Sequence, residues 1–205
     1  MDEHAPGPED VRMAARLCCE ALLPVADRDW SIRAGDLQWS ARETLEHAAS
    51  TQIVYAVRLA TRARERPPVP RCYDPDTTIR DLLDILESRA AVLAEVVKAA
   101  PPEARGFHQT GFADASGFAA MGCDEVLIHT DDIARAFGLS VTPPESICRR
   151  VLRRLFPWAP EEGDAWSALR WANGRIALPG RERLGEDWSW HSSPLSEWDG
   201  TMPTG

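Results

Sequence analysis

Asp124-Glu125-Val126-Leu127-Ile128-His129-Thr130-Asp131-Asp132-Ile133 sets a carboxylate and an imidazole four residues apart inside a strongly apolar segment. In a helix, positions i and i+4 lie one above the other on the same face. Glu125 and His129 therefore point two metal-capable groups at one spot. A second histidine, His47, stands in another apolar, helix-patterned segment about eighty residues upstream. Two helices carrying His47, Glu125 and His129 make a His2Glu set. Three protein ligands with an open fourth position are the arrangement of a catalytic rather than a structural zinc.

The spacing alone carries little weight, because Glu43 precedes His47 by the same interval and such pairs arise by chance. The setting sharpens it. Met121, Gly122, Glu125, His129, Asp132 and Ala136 form one stripe of a helix, with Val126, Ile133 and Phe137 in the neighbouring stripe. An unpaired carboxylate is costly to bury among apolar side chains, and a metal neutralises it. Gly122, one turn before Glu125, is expected to leave room for a ligand. Asp132, three residues after His129, is expected to orient the imidazole as an acceptor behind it. The dipeptide Asp131-Asp132 otherwise reads as a solvated patch rather than a second metal site. His4, His108 and His191 read as surface residues, and no sequence context supports Ser/His/Asp catalysis.

Outward from this helix, expected over Ser116–Phe137 with Gly138 as its C-cap, the chain reads as further helices. A loose leader, Met1–Pro8, precedes a first helix over Glu9–Leu23, stopped by Pro24. Ser40, with Glu43 three residues on, is a capping box for a second helix reaching about Glu65. Leu45, Ala48, Tyr55 and Leu59 mark its apolar stripe, and Pro67-Pro68-Val69-Pro70 ends it. Thr77 or Thr78 caps a third helix carrying Leu82, Leu83, Leu86, Ala90, Leu93 and Val97. Arg105–Ala115 reads as a long polar loop. Pro143 and Pro144 open a fifth helix running through Phe156. Four long amphipathic helices predict an all-α bundle over residues 1–160. Residues 161–205 form a short, partly irregular C-terminal extension rich in Trp and Arg and packed on the bundle, with short strands expected at Ile176–Leu178 and Asp187–His191.

Composition narrows the function classes. The 205 residues are 44% hydrophobic and 27% charged, as in an ordinary globular domain. A formal net charge of -9 disfavours nucleic acid, whose phosphates need a basic face, and disfavours an anionic membrane surface. No apolar run approaches the length of a membrane span. The five cysteines, Cys18, Cys19, Cys72, Cys123 and Cys148, match no metal-knuckle or redox spacing, which fits reduced thiols in a cytoplasmic protein. No glycine pattern for a nucleotide is present.

Two segments resemble a known group. Trp39-Ser40-Ala41-Arg42-Glu43-Thr44-Leu45-Glu46-His47 is similar to the helix-two segment of the DinB-like metalloproteins. Asp124 through Ile133 is similar to the metal motif of the mycothiol-dependent maleylpyruvate isomerase family. The resemblance spans roughly Val11 to Leu139. It implies a DinB-like four-helix bundle in which His47, Glu125 and His129 hold a divalent metal, zinc foremost. It also implies a low-molecular-weight thiol such as mycothiol as the fourth ligand. The isomerases carry a larger C-terminal domain than the sixty-five or so residues that follow the fourth helix here, so the substrate does not transfer with the motif.

The chemistry so implied is thiolate addition to an electrophilic small molecule. It ends either in isomerisation, when the thiol leaves again, or in S-transfer, when it stays. A metal deprotonates a bound thiol at neutral pH. Arg175 and Arg181, together with Arg183, are candidate contacts to an anionic substrate, since guanidinium pairs bidentately with carboxylate. Trp188 and Trp190 are expected either to wall a pocket or to anchor the extension. The competing readings are a non-catalytic metal-binding or stress-response module on the same fold and metal-assisted hydrolysis. The latter needs a general base, a role open to Glu43 only if it faces the metal. No nucleic-acid or membrane partner is expected, and the chain reads as a monomer or homodimer.

Overall fold

Ser40 starts the second long helix, α2 (Ala41–Ala60). Its hydroxyl accepts from the Glu43 backbone N–H at 3.2 Å, and Glu43 accepts from the Ser40 backbone N–H at 2.8 Å. This is the reciprocal box expected from the sequence. Thr78 and Asp81 repeat it at the start of α3 (Ile79–Ala99). Asp10 closes the same loop onto the Gly7 N–H ahead of α1 (Pro8–Leu22). The computed structural model describes residues 5–69, 73–185 and 187–203. His4, Pro70 and Cys72 lie outside the described residues.

One helix end departs from the sequence reading. α2 stops at Ala60, ahead of the proline run. Arg62 takes a left-handed backbone (φ +50), the Ala63 N–H reaches the Arg58 carbonyl, and the Arg62 N–H reaches the Leu59 carbonyl. That is a Schellman closure built on arginine instead of glycine, which is why no glycine announced it. At the end of α4 (Ala115–Ala136), by contrast, Gly138 (φ +72) terminates the helix as expected.

α1 and α2 each pack on both α3 and α4. α4 is buried along nearly its whole length, and the Asp124, His129, Asp131 and Asp132 buried with it must find partners inside the protein. Leu82, Leu83, Leu86, Ala90, Leu93 and Val97 of α3 all face this core. Gly122 does not leave room for a ligand. A Cβ there would lie 2.7 Å from Leu93 Cδ2 and 3.0 Å from Gln52 Oε1. The missing side chain lets α4 approach α2 and α3 closely.

The segment expected as a polar loop is a tight hairpin. β1 (Gly106–His108) pairs antiparallel with β2 (Gly111–Ala113), with His108 opposite Gly111 across a two-residue turn. α5 (Glu145–Leu155) packs on α4 and on a helix the sequence reading missed, α6 (Ala165–Ala172). Asp164 caps α6 through the Ser167 N–H at 2.7 Å, and Gly174 (φ +65) closes it. No strand forms over 176–178 or 187–191. Leu178 makes only an isolated bridge to Arg181. Instead the tail is sewn to the bundle by side chains. Arg154, 3% exposed, donates to Asp114 (2.8 Å), to Ser116, and to the carbonyls of His191 and Ser192. No helix among the described residues is long and apolar enough to cross a membrane.

Candidate metal centre

α2 and α4 lie side by side, and their contact brings His47 to Glu125. His47 Nε2 is 3.1 Å from Glu125 Oε2, and His129 Nε2 is 3.2 Å from the same oxygen. One ligand atom from each of the three residues lies within 4.8 Å of the other two. A tetrahedral zinc with bonds of about 2.0–2.1 Å holds its ligands about 3.3 Å apart, so the donor set has the spacing and chemistry of a divalent-ion site. It is the one such cluster among the described residues.

Glu125 and His129 are each held from behind. Tyr55, about two turns after His47 on α2, donates its hydroxyl to Glu125 Oε1 at 2.9 Å and leaves Oε2 for the two imidazoles. Asp132 Oδ2 lies 3.2 Å from His129 Nδ1. A carboxylate can only accept there, so the neutral imidazole keeps its proton on Nδ1 and turns the Nε2 lone pair to the site. Asp132 is fully buried and is itself gripped by Arg175 (Nη2 at 2.9 Å, Nε at 3.0 Å) and by Arg135 (2.8 Å). The Asp131-Asp132 pair is thus not a solvated patch: both residues are buried, and the charges are met by arginines at 3.2 Å (Arg135) and 3.6 Å (Arg170) from Asp131.

The electrostatics follow from these bonds. Burial pushes the Glu125 carboxyl up, but hydrogen bonds from His129 and His47 outweigh it and hold the group well below the usual range. Burial disfavours the His129 imidazolium, yet its bonds to Asp132 and Glu125 lift it to about 9. Burial likewise opposes the charge on Asp132, and His129 and Arg175 bring it down to about 2. Asp124, by contrast, is raised to about 7 by burial, with Asn173 opposing.

A cavity of about 290 Å³ opens onto the triad, lined by Leu37, Trp39, Asp124, Ile128, Asn173, Arg175, Trp188 and Trp190 together with the ligands. Trp188 and Trp190 do both things the sequence left open. They wall this cavity, and they tie down the extension: the Trp190 indole N–H donates to Asp124 at 3.1 Å, and Trp188 packs on Phe156. Trp39 lies over His47 with ring centroids 4.8 Å apart. Arg175 reaches the cavity. Arg181 stacks on Trp171 at 5.5 Å, and Arg183 pairs with Asp36, so neither lines it. Glu43 is spent on the helix cap and does not face the ligands. The general base that metal-assisted hydrolysis would need is absent from that position.

Sequence reasoning missed Tyr55, Asn173 and His108. Asn173 Nδ2 donates to Asp124 at 2.9 Å. His108 is buried rather than on the surface. Its Nδ1 lies 2.9 Å from Thr110 Oγ1 and 3.0 Å from Ser192 Oγ, and its ring lies against Tyr55 and Trp190. Burial, then the charge of Arg58, depress it to about 4 against the pull of Glu125. An unfolded histidine titrates near 6.5. The neutral ring therefore contributes stability fully above about pH 6.5, and that contribution is lost as pH falls towards 4. Between pH 7 and 5 the wild type should lose about 2 kcal/mol more unfolding free energy than His108→Gln. Urea titrations at both pH values check this, and parallel losses in the two proteins would refute it.

Residues 11–133 match the profile described as the DinB superfamily. No curated protein and no solved structure gives a significant match.

Proposed function

This chain belongs to the DinB superfamily, and on that footing we propose that it is a divalent-metal-dependent enzyme using a low-molecular-weight thiol against an electrophilic small molecule. The observation that carries the proposal is the convergence of His47, Glu125 and His129 on one point at the floor of a cavity. An ion held by three protein ligands keeps a position open, and zinc is the ion best suited to two imidazoles and a carboxylate. When bound there it supplies a Lewis acid that makes a thiol nucleophilic at neutral pH.

The chain's own residues perform the rest. Tyr55 and Asp132 fix the ligand oxygen and the imidazole tautomer. Trp39, Trp188 and Trp190 wall the space in which the reaction takes place. In the addition itself, the sulfur gives up its proton and forms a C–S bond. The electron pair displaced from the electrophile's double bond is then quenched by a proton. Whether the thiol afterwards leaves, giving isomerisation, or stays, giving S-transfer, depends on the electrophile. We propose a mycothiol-type thiol and a cytoplasmic setting for this chemistry.

Elemental analysis of the untagged chain beside His47→Ala, Glu125→Ala and His129→Ala tests the reading. About one divalent ion per chain is expected in the wild type and none in the variants, with the helical spectrum unchanged. Full deprotonation of a thiol with pKa near 8.5 accelerates its addition at pH 7 by about thirtyfold, and that gain should vanish with the ion. Stoichiometric ion in all three variants would sink the site. Ion without acceleration over a panel of electrophiles would turn the reading to a binding module.

A further inference from the structure

The cavity over the triad has its charges already matched. Arg175 is the one arginine or lysine among its walls, and most of its guanidinium hydrogens are already spent within the protein. Nε and Nη2 donate to Asp132, and Nη1 donates to the Asn173 carbonyl at 2.8 Å. Asp132 is fully buried, so this pair is formed in a dry setting and does not open cheaply. The two carboxylates facing the cavity, Asp124 and Glu125, offset a divalent ion. Asp124 is in turn filled by the Asn173 amide and the Trp190 indole. What remains is apolar and flat: Trp39, Trp188 and Trp190, with Leu37 and Ile128.

From this we infer that the site selects a neutral, planar, apolar electrophile of about one ring, and discriminates against carboxylate-bearing ones. The inference rests on the metal–thiol reading above and names its substrate class. A cavity of about 150 Å³ accepts a benzene, so about 290 Å³ holds one ring beside a small thiol head. Indole faces bind such a ring by stacking and dispersion. With a thiolate in the ion's fourth position, a carboxylate brought into the same space gives up its hydration and meets no open cation. Arg175, expected from the sequence to grip an anionic substrate, acts instead as the clamp that holds Asp132, and through it His129, in place.

The test uses the full chain loaded with zinc and saturated with 2-mercaptoethanol, so that the ion's open position is filled, and probes that do not add thiols, so that binding is read without reaction. Two planar probes differ only in charge: acetophenone and its para-carboxylate derivative. Calorimetric titration should give at least about tenfold tighter binding of the neutral ketone, the equivalent of about 1.4 kcal/mol. Trp39→Ala should weaken the neutral ketone by a similar factor. Trp39 is 42% exposed, so its removal leaves the bundle intact. Equal or tighter binding of the carboxylate overturns the inference, as does failure of both probes to bind or indifference to Trp39→Ala. Zinc content of the same samples separates the two readings. A chain that holds zinc yet prefers the carboxylate loses only this inference. A chain that holds none loses the metal reading, and its preference between the probes is measured all the same.

Discussion

Asp132→Ala is expected to lower the unfolding free energy of the ion-free protein by about 3–5 kcal/mol, the cost of breaking a buried ion pair from one side. The carboxylate is fully buried and meets three partners from two directions: His129 and Arg135 on its own helix, and Arg175 from beyond α6. Removing it strands Arg175 in a half-closed site with its Nε and one Nη2 hydrogen unpaired. It also frees the His129 ring to turn. Metal affinity should therefore fall by about 10–100-fold in the same variant, the usual penalty for losing an acceptor behind a ligating imidazole. Asp132→Asn keeps the shape and one acceptor and should lose less on both counts. Urea unfolding of the chelator-treated protein and competition against a chromogenic chelator measure the two effects. A loss below about 1 kcal/mol, with zinc affinity unchanged, would mean that Asp132 is not the hub of the site.

What the sequence disclosed and what it concealed divide along contact range. The clustering of His47, Glu125 and His129 was legible because its key pair is local: Glu125 and His129 are one helical turn apart, and His47 stands out in an apolar helix. Capping boxes at Ser40 and Thr78 are equally local, spanning three residues. Asp132 as the support for His129 was readable for the same reason. The burial of His108 was not, because Ser192, eighty-four positions away, is what closes over it. Nor was the full neutralisation of Asp131 and Asp132, since Arg135 is local but Arg170 and Arg175 arrive from the extension.

The local misses have separate physical causes. The hairpin at 106–113 turns on Gln109-Thr110 rather than on an Asn-Gly or Asp-Gly pair, and its strands are three residues long, too short for alternation to register. α6 did leave signals, in Asp164 at its N-cap, Gly174 at its close and the helical spacing of Ala165, Leu169 and Ala172. Gly122 was read for the space it leaves and is in fact used for the space it lets a neighbour fill, since Leu93 and Gln52 occupy it. Tyr55 was counted among the core stripe, where its ring does pack. Its hydroxyl was the part that mattered for Glu125.

Zinc should raise the melting temperature by about 8–16 °C when free ion stands a thousandfold above its Kd, and the rise should grow with pH. The first figure follows from mass action: that excess adds about 4 kcal/mol to the native state, and each kcal/mol shifts a chain of this size by about 2–4 °C. The pH dependence follows from His129, whose imidazolium is favoured up to about 9 in the ion-free protein. A ligating imidazole must be neutral, so uptake at pH 7 expels its proton, and the apparent affinity should climb about tenfold per pH unit until about pH 9. The ion-free fold moves the other way. Because the native pKa of His129 lies above its unfolded value of about 6.5, the stability from its protonation is complete below about 6.5 and is lost as pH rises through 9. Loaded and unloaded protein should therefore diverge between pH 6.5 and 8.5, with about a hundredfold change in apparent affinity over that interval. Melting scans with zinc and with chelator at the two pH values decide it, with His129→Ala as the control that should show no zinc effect at either. A shift of the same size at both pH values would remove His129 from the ligand set, whatever its distance from Glu125.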